Sequence, residues 1–267
     1  MNAQPAIPVD PGRVVLAGDW HGNTNRAVSV IQSAGMRGIT TVVHLGDFGF
    51  WTPGAWTDRF LAAVEKACAA YGVTLLWVDG NHECFPSLYE RPIDEDTGLR
   101  PISEHVAHLP RGLRWTWHGR SWMALGGAHS PDRQMRKEGK SWWPQEHLSD
   151  ADIETATAPG HVDVIVAHDA PDEVDIPGLT PGAFPAAEIA ASEEHRRRVG
   201  EVVDATTPEL FFHGHYHVRY TARRGRTLVV GLADDGSPPV DNMALLNLAG
   251  GLAEPEPLFE RTPPRGR

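Results

Sequence analysis

Val14-Val15-Leu16-Ala17-Gly18-Asp19-Trp20-His21-Gly22-Asn23 joins an apolar run to a glycine and then to an Asp-x-His. A short β-branched run of this kind reads as a buried strand. The metal-type residues therefore stand where a strand ends and a loop begins. The arrangement recurs along the chain. Val42-Val43-His44-Leu45 runs into Gly46-Asp47, and Leu75-Leu76-Trp77-Val78 precedes Gly80-Asn81-His82-Glu83. Val162-Asp163-Val164-Ile165 runs into Val166-Ala167-His168, and Leu210-Phe211-Phe212 precedes Gly214-His215-Tyr216-His217. Side chains that leave neighbouring strands at one sheet edge can converge on a point. Asp19, His21, Asp47, Asn81, His168, His215 and His217 are then the candidate ligands of a two-metal site.

Helical patterns fill the gaps between these strands. Asn23 to Ala34 has apolar Ala27, Val28, Val30, Ile31 and Ala34, and Ala55 to Tyr71 has Phe60, Leu61, Val64, Ala67 and Cys68. Strand–helix–strand–helix–strand order implies a parallel sheet with right-handed crossovers. Residues 84–101 read as a loop. Leu113 to Trp117 and Ser121 to Leu125 read as a hairpin, and residues 128–148 as an excursion over one edge. Helices follow after Ser149 and over Ala186 to Ala205. The strands at Glu209–Phe212, Tyr220–Arg223, Thr227–Leu232 and Met243–Leu248 imply a second, largely antiparallel sheet. The reading gives a flexible N-terminal segment over 1–12, one domain over 13–252 and a Pro-rich tail over 253–267.

The chain has 267 residues and a net charge of −11. That length supports one large α/β domain. The negative charge argues against broad binding to nucleic acid. No apolar run is long enough to span a membrane, and residues 1–12 lack a secretory pattern. Cys68 and Cys84 make no disulfide framework, so a reducing cytoplasm is expected. The pattern leaves the oligomeric state open.

The five blocks, Asp19-x-His21, Gly46-Asp47, Gly80-Asn81-His82-Glu83, His168 and Gly214-His215-x-His217, stand in one order. Together they resemble the signature of the calcineurin-like metallophosphoesterase superfamily. The resemblance implies an α/β four-layer sandwich, two mixed β-sheets flanked by helices. It implies two divalent metal ions, manganese first, with Fe, Zn, Ni or Mg also compatible. Asp19, His21 and His217 look like ligands of one ion, and Asn81, His168 and His215 of the other. Asp47 looks like the bridge. His82 looks like the catalytic histidine that faces the phosphate, and Asn23 like a phosphate-contacting or supporting residue. The implied activity is hydrolysis of a phosphomonoester or phosphodiester by a metal-bridging hydroxide. The substrate would be a phosphorylated small molecule or a nucleotide. The alternative is a non-catalytic interaction module that keeps the fold.

One departure stands out. Protein phosphatases of this superfamily carry a second Asp after the Gly-Asp block, where this chain has Phe50. Glu83 and Asp169 are the candidate partners of His82 in its place. Beyond Gly126-Gly127, Arg133 is the better candidate for a phosphate clamp and Arg136 the more distant one. His44 and His213 read as structural. Trp115, Trp117 and Trp122 read as core. Trp20, Trp51, Trp142 and Trp143 lie near strand ends, where packing competes with a ring-stacking wall.

Overall fold

The computed structural model describes residues 10–180, 182–251, 255, 256 and 258. Alternation along the strands builds the molecule in layers. Val14 and Leu16 point one way from β1 (Arg13–Ala17), and Val15 and Ala17 the other. β2 (Thr41–His44) and β3 (Thr74–Trp77) repeat the pattern, with Val43 and Leu76 on the inner side and Val42 and Leu75 on the outer. A strand apolar on both faces must be covered on both.

The outer side is covered by α1 (Thr24–Gly35) and α2 (Ala55–Tyr71), whose Ala27, Val30, Ile31, Phe60 and Val64 pack on it. Asn23 caps α1 by accepting the Arg26 N–H. Gly72 ends α2 in the left-handed conformation, at φ 64°, as a helix C-terminus favours.

Beyond β3 the chain forms α3 (Phe85–Tyr89), β4 (Arg100–Pro101) and β5 (Val106–His108). The stretch expected to be loop thus holds a short helix and an edge strand. Pro86 sits in the first turn of α3, where its missing N–H costs nothing. The hairpin follows as β6 (Arg114–Trp117) and β7 (Arg120–Leu125). Then come α4 (Asp150–Thr157), β8 (Val164–Ala167), α5 (Ala186–Thr206), β9 (Leu210–His213), β10 (Tyr220–Arg224), β11 (Thr227–Gly231), α6 (Pro239–Asn242) and β12 (Met243–Asn247).

The first sheet runs β12-β1-β2-β3-β5-β4 and the second β10-β11-β9-β8-β7-β6. Both are mixed. The second differs from the expected antiparallel sheet, because β11, β9, β8 and β7 pair in parallel. β12 also leaves that set and pairs antiparallel with β1. Chain order suggested otherwise because the closing strand crosses back to the first sheet. The inner faces meet in one core that includes Trp115, Trp117, Trp122, Phe212 and Val230. The outer face of the second sheet packs under α4 and α5 through Ile165, Phe211, Val199 and Val203. This is the four-layer α/β sandwich.

Register positions the site. Ala17 lies opposite His44, and His44 opposite Trp77. In the other sheet Leu125 lies opposite Ala167, and Val166 opposite Phe212. The loops after β1, β2, β3, β8 and β9 therefore leave at matched heights. Residues 1–9 and most of the tail lie outside the described residues; Glu256 pairs with Leu245. No helix among the described residues is long and apolar enough to cross a membrane.

Candidate metal centre

Asp47 lies at the middle of the converging loops. Its Oδ2 is 3.4 Å from His21 Nε2 and its Oδ1 is 3.5 Å from His168 Nε2. Around one side, His217 Nε2 is 3.1 Å from Asp19 Oδ2. Around the other, His168 Nε2 is 3.0 Å from Asn81 Oδ1. The His215 ring lies 5.0 Å from that of His168, and the His215 N–H donates to the Asp19 carboxylate. Each expected ligand is thus part of one contiguous cluster. Asp19, Asp47 and His168 are buried, and His217 is partly open.

The backbone is bent to make this cluster. His21, Asp47, His215 and His217 have φ of 43°, 52°, 67° and 57°. Left-handed backbone is uncommon for residues with a Cβ, and it gathers at functional sites. The neighbouring glycines serve close approach. A Cβ on Gly80 would stand 2.1 Å from the Asp47 nitrogen, and one on Gly214 2.0 Å from Asp19 Oδ1.

His82 N–H donates to Asp47 Oδ1 at 2.9 Å, and its ring Nε2 lies 3.7 Å from Asp47 Oδ2. Neither expected partner reaches this ring. Glu83 is buried and accepts the N–H groups of Phe48 and Phe50, at 2.7 and 2.9 Å. Asp169 accepts from Ala170 N–H and Tyr216 Oη and meets His195 Nδ1 at 2.7 Å. The group at His82 is Arg136, whose Nη2 donates to Nε2 at 2.6 Å while Nε bonds Asp132 Oδ1 at 2.7 Å.

The order expected of the two arginines is therefore reversed. Arg133 stands over the Trp142 ring at 4.1 Å. The short 3-10 turn Arg133–Met135 directs Arg136 to the site instead. Of the two roles expected of Asn23, the geometry fits the supporting one. Its Nδ2 donates to Asp235 Oδ2 at 2.7 Å, and its Oδ1 caps α1. It stands behind His21, whose Nδ1 meets Asp235 Oδ1 at 3.2 Å.

A family model for calcineurin-like phosphoesterases matches residues 12–219. The chain belongs to this family. Calcineurin-like phosphoesterases share the architecture seen here, and solved structures align over nearly the whole chain. TT1561 of Thermus thermophilus is 15% identical, with a TM-score of 0.58, covering 92% of this chain and 99% of its own. A dimetal phosphatase from Danio rerio is 16% identical, with a TM-score of 0.54, covering 94% and 98%. GAP50, the anchor in the inner membrane complex of Plasmodium, is 11% identical, with a TM-score of 0.51, covering 87% and 79%. No curated protein matches the chain significantly.

The family is dinuclear and metal-dependent, and the donor set of this member fits such a centre. Two donors each about 2.1 Å from one ion are roughly 3.0–3.4 Å apart at octahedral or tetrahedral angles; His217–Asp19 and His168–Asn81 lie at 3.1 and 3.0 Å, and Asp47 lies 3.4 and 3.5 Å from His21 and His168, at the upper edge of that spacing. Imidazole with carboxylate suits Mn, Fe, Zn or Ni. The electrostatics agree. Burial lowers His21 and His168, yet Asp47 outweighs it and raises them to about 10 and about 9. The buried carboxylates thus favour positive charge where the ions would lie.

Supporting residues escaped the sequence reading. Asp235 orients His21, and Asp234 Oδ2 lies 3.7 Å from His217 Nδ1. Ser130 Oγ accepts from Asn81 Nδ2 at 2.9 Å and donates to the buried Glu146 at 2.6 Å. This turns Asn81 Oδ1 toward His168. Carboxylates and hydroxyls behind metal ligands set ligand orientation. Asp234-Asp235 after an apolar run was a signal; Ser130 and Glu146 gave none. His213 is structural, bridging Tyr220 Oη at 2.7 Å and the Gly214 carbonyl at 2.9 Å.

Proposed function

We propose that this chain hydrolyses phosphoric esters with two divalent metal ions. Asp19, His21 and His217 would hold one ion, Asn81, His168 and His215 the other, and Asp47 both. When bound, the ions would supply activated water and neutralise charge on the phosphoryl group. The observation that carries this reading is Asp47, which presents opposite oxygens to His21 and His168 within 3.5 Å.

The chain's own residues account for the rest. Asp235, Ser130 and Glu146 hold the ligand side chains in place. His82 is poised at the cavity of about 410 Å³ that Asp47, Asn81, His215 and His217 line. There it would meet the phosphate and deliver a proton to the leaving oxygen. A well-placed acid contributes about 10²–10⁴ in rate. In the arrangement seen, Nε2 accepts from Arg136, so the ring is neutral. Proton delivery requires Arg136 to turn from Nε2 toward the phosphate. Burial lowers the His82 pKa, Asp47 opposes this, and Arg136 adds to it, which makes the protonated ring a stronger acid. Cytoplasmic placement belongs to the same reading, and the two free, buried cysteines suit a reducing compartment.

The test is hydrolysis of a mono- and diester panel after reconstitution with Mn, Ni, Zn and Mg, with metal content measured on the same samples. Turnover with two ions per chain supports the proposal. Two bound ions without turnover on any ester would favour the non-catalytic module. Manganese is expected to serve best.

A further inference from the structure

His82 lines two cavities, and among the described residues it is the one common to their linings. The first is lined by four of the candidate metal ligands, Asp47, Asn81, His215 and His217. The second, of about 460 Å³, is lined by Trp51, Trp56, Trp143, Arg136 and Lys140, with hydroxyls from Thr52, Thr57 and Ser141. That volume lies in the range of small-molecule sites, and an apolar wall with a few convergent polar groups is their usual make-up.

The tryptophans are arranged as a platform. The rings of Trp51 and Trp56 are 4.4 Å apart and 12° from parallel. Trp56 is 44% exposed. Its edge rests on Gly22, where a Cβ would lie 2.1 Å from Trp56 Cη2. Gly22 directly follows His21, so the platform is seated on the metal-binding loop itself. Trp143 packs with Cys84 and Phe85 just beyond His82. Arg136 and Lys140 bring positive charge to this cavity in a chain of net charge −11.

We infer that the second cavity receives the base of a nucleoside phosphate whose phosphate sits at the metal centre. This inference rests on the phosphoesterase reading. Continuity through His82 sets the polarity. The phosphate occupies one cavity, the nucleoside arm crosses His82, and the base lies in the other. The nucleoside is then the leaving group. Water attacks phosphorus, the bond from phosphorus to the nucleoside oxygen breaks, and that oxygen leaves as an alcohol. The water supplies the oxygen the phosphate gains and, in net, the proton the alcohol gains. Three tryptophans favour a planar ring over an alkyl chain. The cavity's size and hydroxyls favour a base with its sugar over a bare phenyl ring. Lys140 would face the sugar and any further anionic group, while Arg136, at the His82 junction, turns toward the phosphate.

The test compares kcat/KM for two pairs of esters that differ only in the base. One pair is adenosine 5′-monophosphate and ribose 5-phosphate; the other is their methyl diesters. Stacking of a base on an aromatic side chain predicts a preference of about 5- to 150-fold for the base-bearing ester. Trp56→Ala and Trp51→Ala should bring the ratio toward one, and Trp56→Phe should restore part of it. A ratio near one in the wild type, or one unchanged in both alanine variants, overturns the inference and leaves the phosphoesterase reading standing. If the chain loaded with two ions hydrolyses neither pair nor any member of the wider panel, both fall together.

Discussion

His82 illustrates how one residue's surroundings decide its role. It contacts Asp47 through its backbone N–H and faces Arg136 through its ring, and it is absent from the proposed ligand set. His82→Ala should therefore keep both ions, with kcat lower by about 10²–10⁴. The loss should be larger on esters with poor leaving groups than on activated aryl esters. A variant that loses an ion would show that His82 is itself a ligand. Asp235 belongs to the same scale. It touches His21 and Asn23 and would leave His21 unsupported if removed. Asp235→Ala should weaken metal affinity by about 10- to 100-fold, read by competition with a chromogenic chelator. Unchanged affinity would return Asp235 to a loop-closing role. Arg133 and Arg136 mark where residue-level reading ended. They share a residue type and a loop, and only the 3-10 turn decides which one meets the site.

Elements explain what was legible. Each candidate ligand follows an apolar run, so the strand ends carried the site in one dimension. The glycines carried it too, for a reason that the fold makes explicit. Gly80 allows the loop after β3 to lie against Asp47 from the loop after β2. Gly80→Ala should displace the Asp47 backbone, because the obstructing atom is a main-chain nitrogen that cannot rotate aside. Metal content should fall although no ligand changes. Two ions at wild-type affinity in this variant would contradict the packing argument. The hairpin, α2 and α5 were readable because periodicity and turns agreed locally. The direction of the second sheet was not, since parallel pairing of β7, β8 and β9 joins segments distant in sequence. Asn23 was readable as a polar residue near the site. Its position behind His21 depends on Asp235, from a loop that only the fold brings close.

At the scale of the molecule, the first sheet and the loop that carries Ser130 and Glu146 are tied by one buried ion network. Arg111 meets Asp79 at 2.6 Å and donates to the carbonyls of Gln145 and His147, and Asp79 also meets His108 at 3.0 Å. Burial alone would raise the Asp79 carboxyl, but Arg111 and His108 outweigh it and hold it well below the usual carboxylate range. Arg111→Ala would strand that charge and should cost about 3–5 kcal/mol. The sign with pH follows from the depressed carboxyl. The pair's contribution is full above the ordinary carboxylate pKa of about 3.9, shrinks progressively below it, and is gone only once pH passes through the depressed folded-state value. Urea unfolding of wild type and variant should therefore converge in acid. A gap that persists unchanged below about pH 3 would mean that Asp79 is not its source.

Asp47 is proposed to join two ions, and metal stoichiometry measured together with turnover tests that role. Wild-type chain should bind two divalent ions and hydrolyse members of the ester panel. Asp47→Asn, which keeps the shape but removes the charge, should bind fewer ions and lose turnover. Two ions and full turnover in Asp47→Asn would show that Asp47 does not join them.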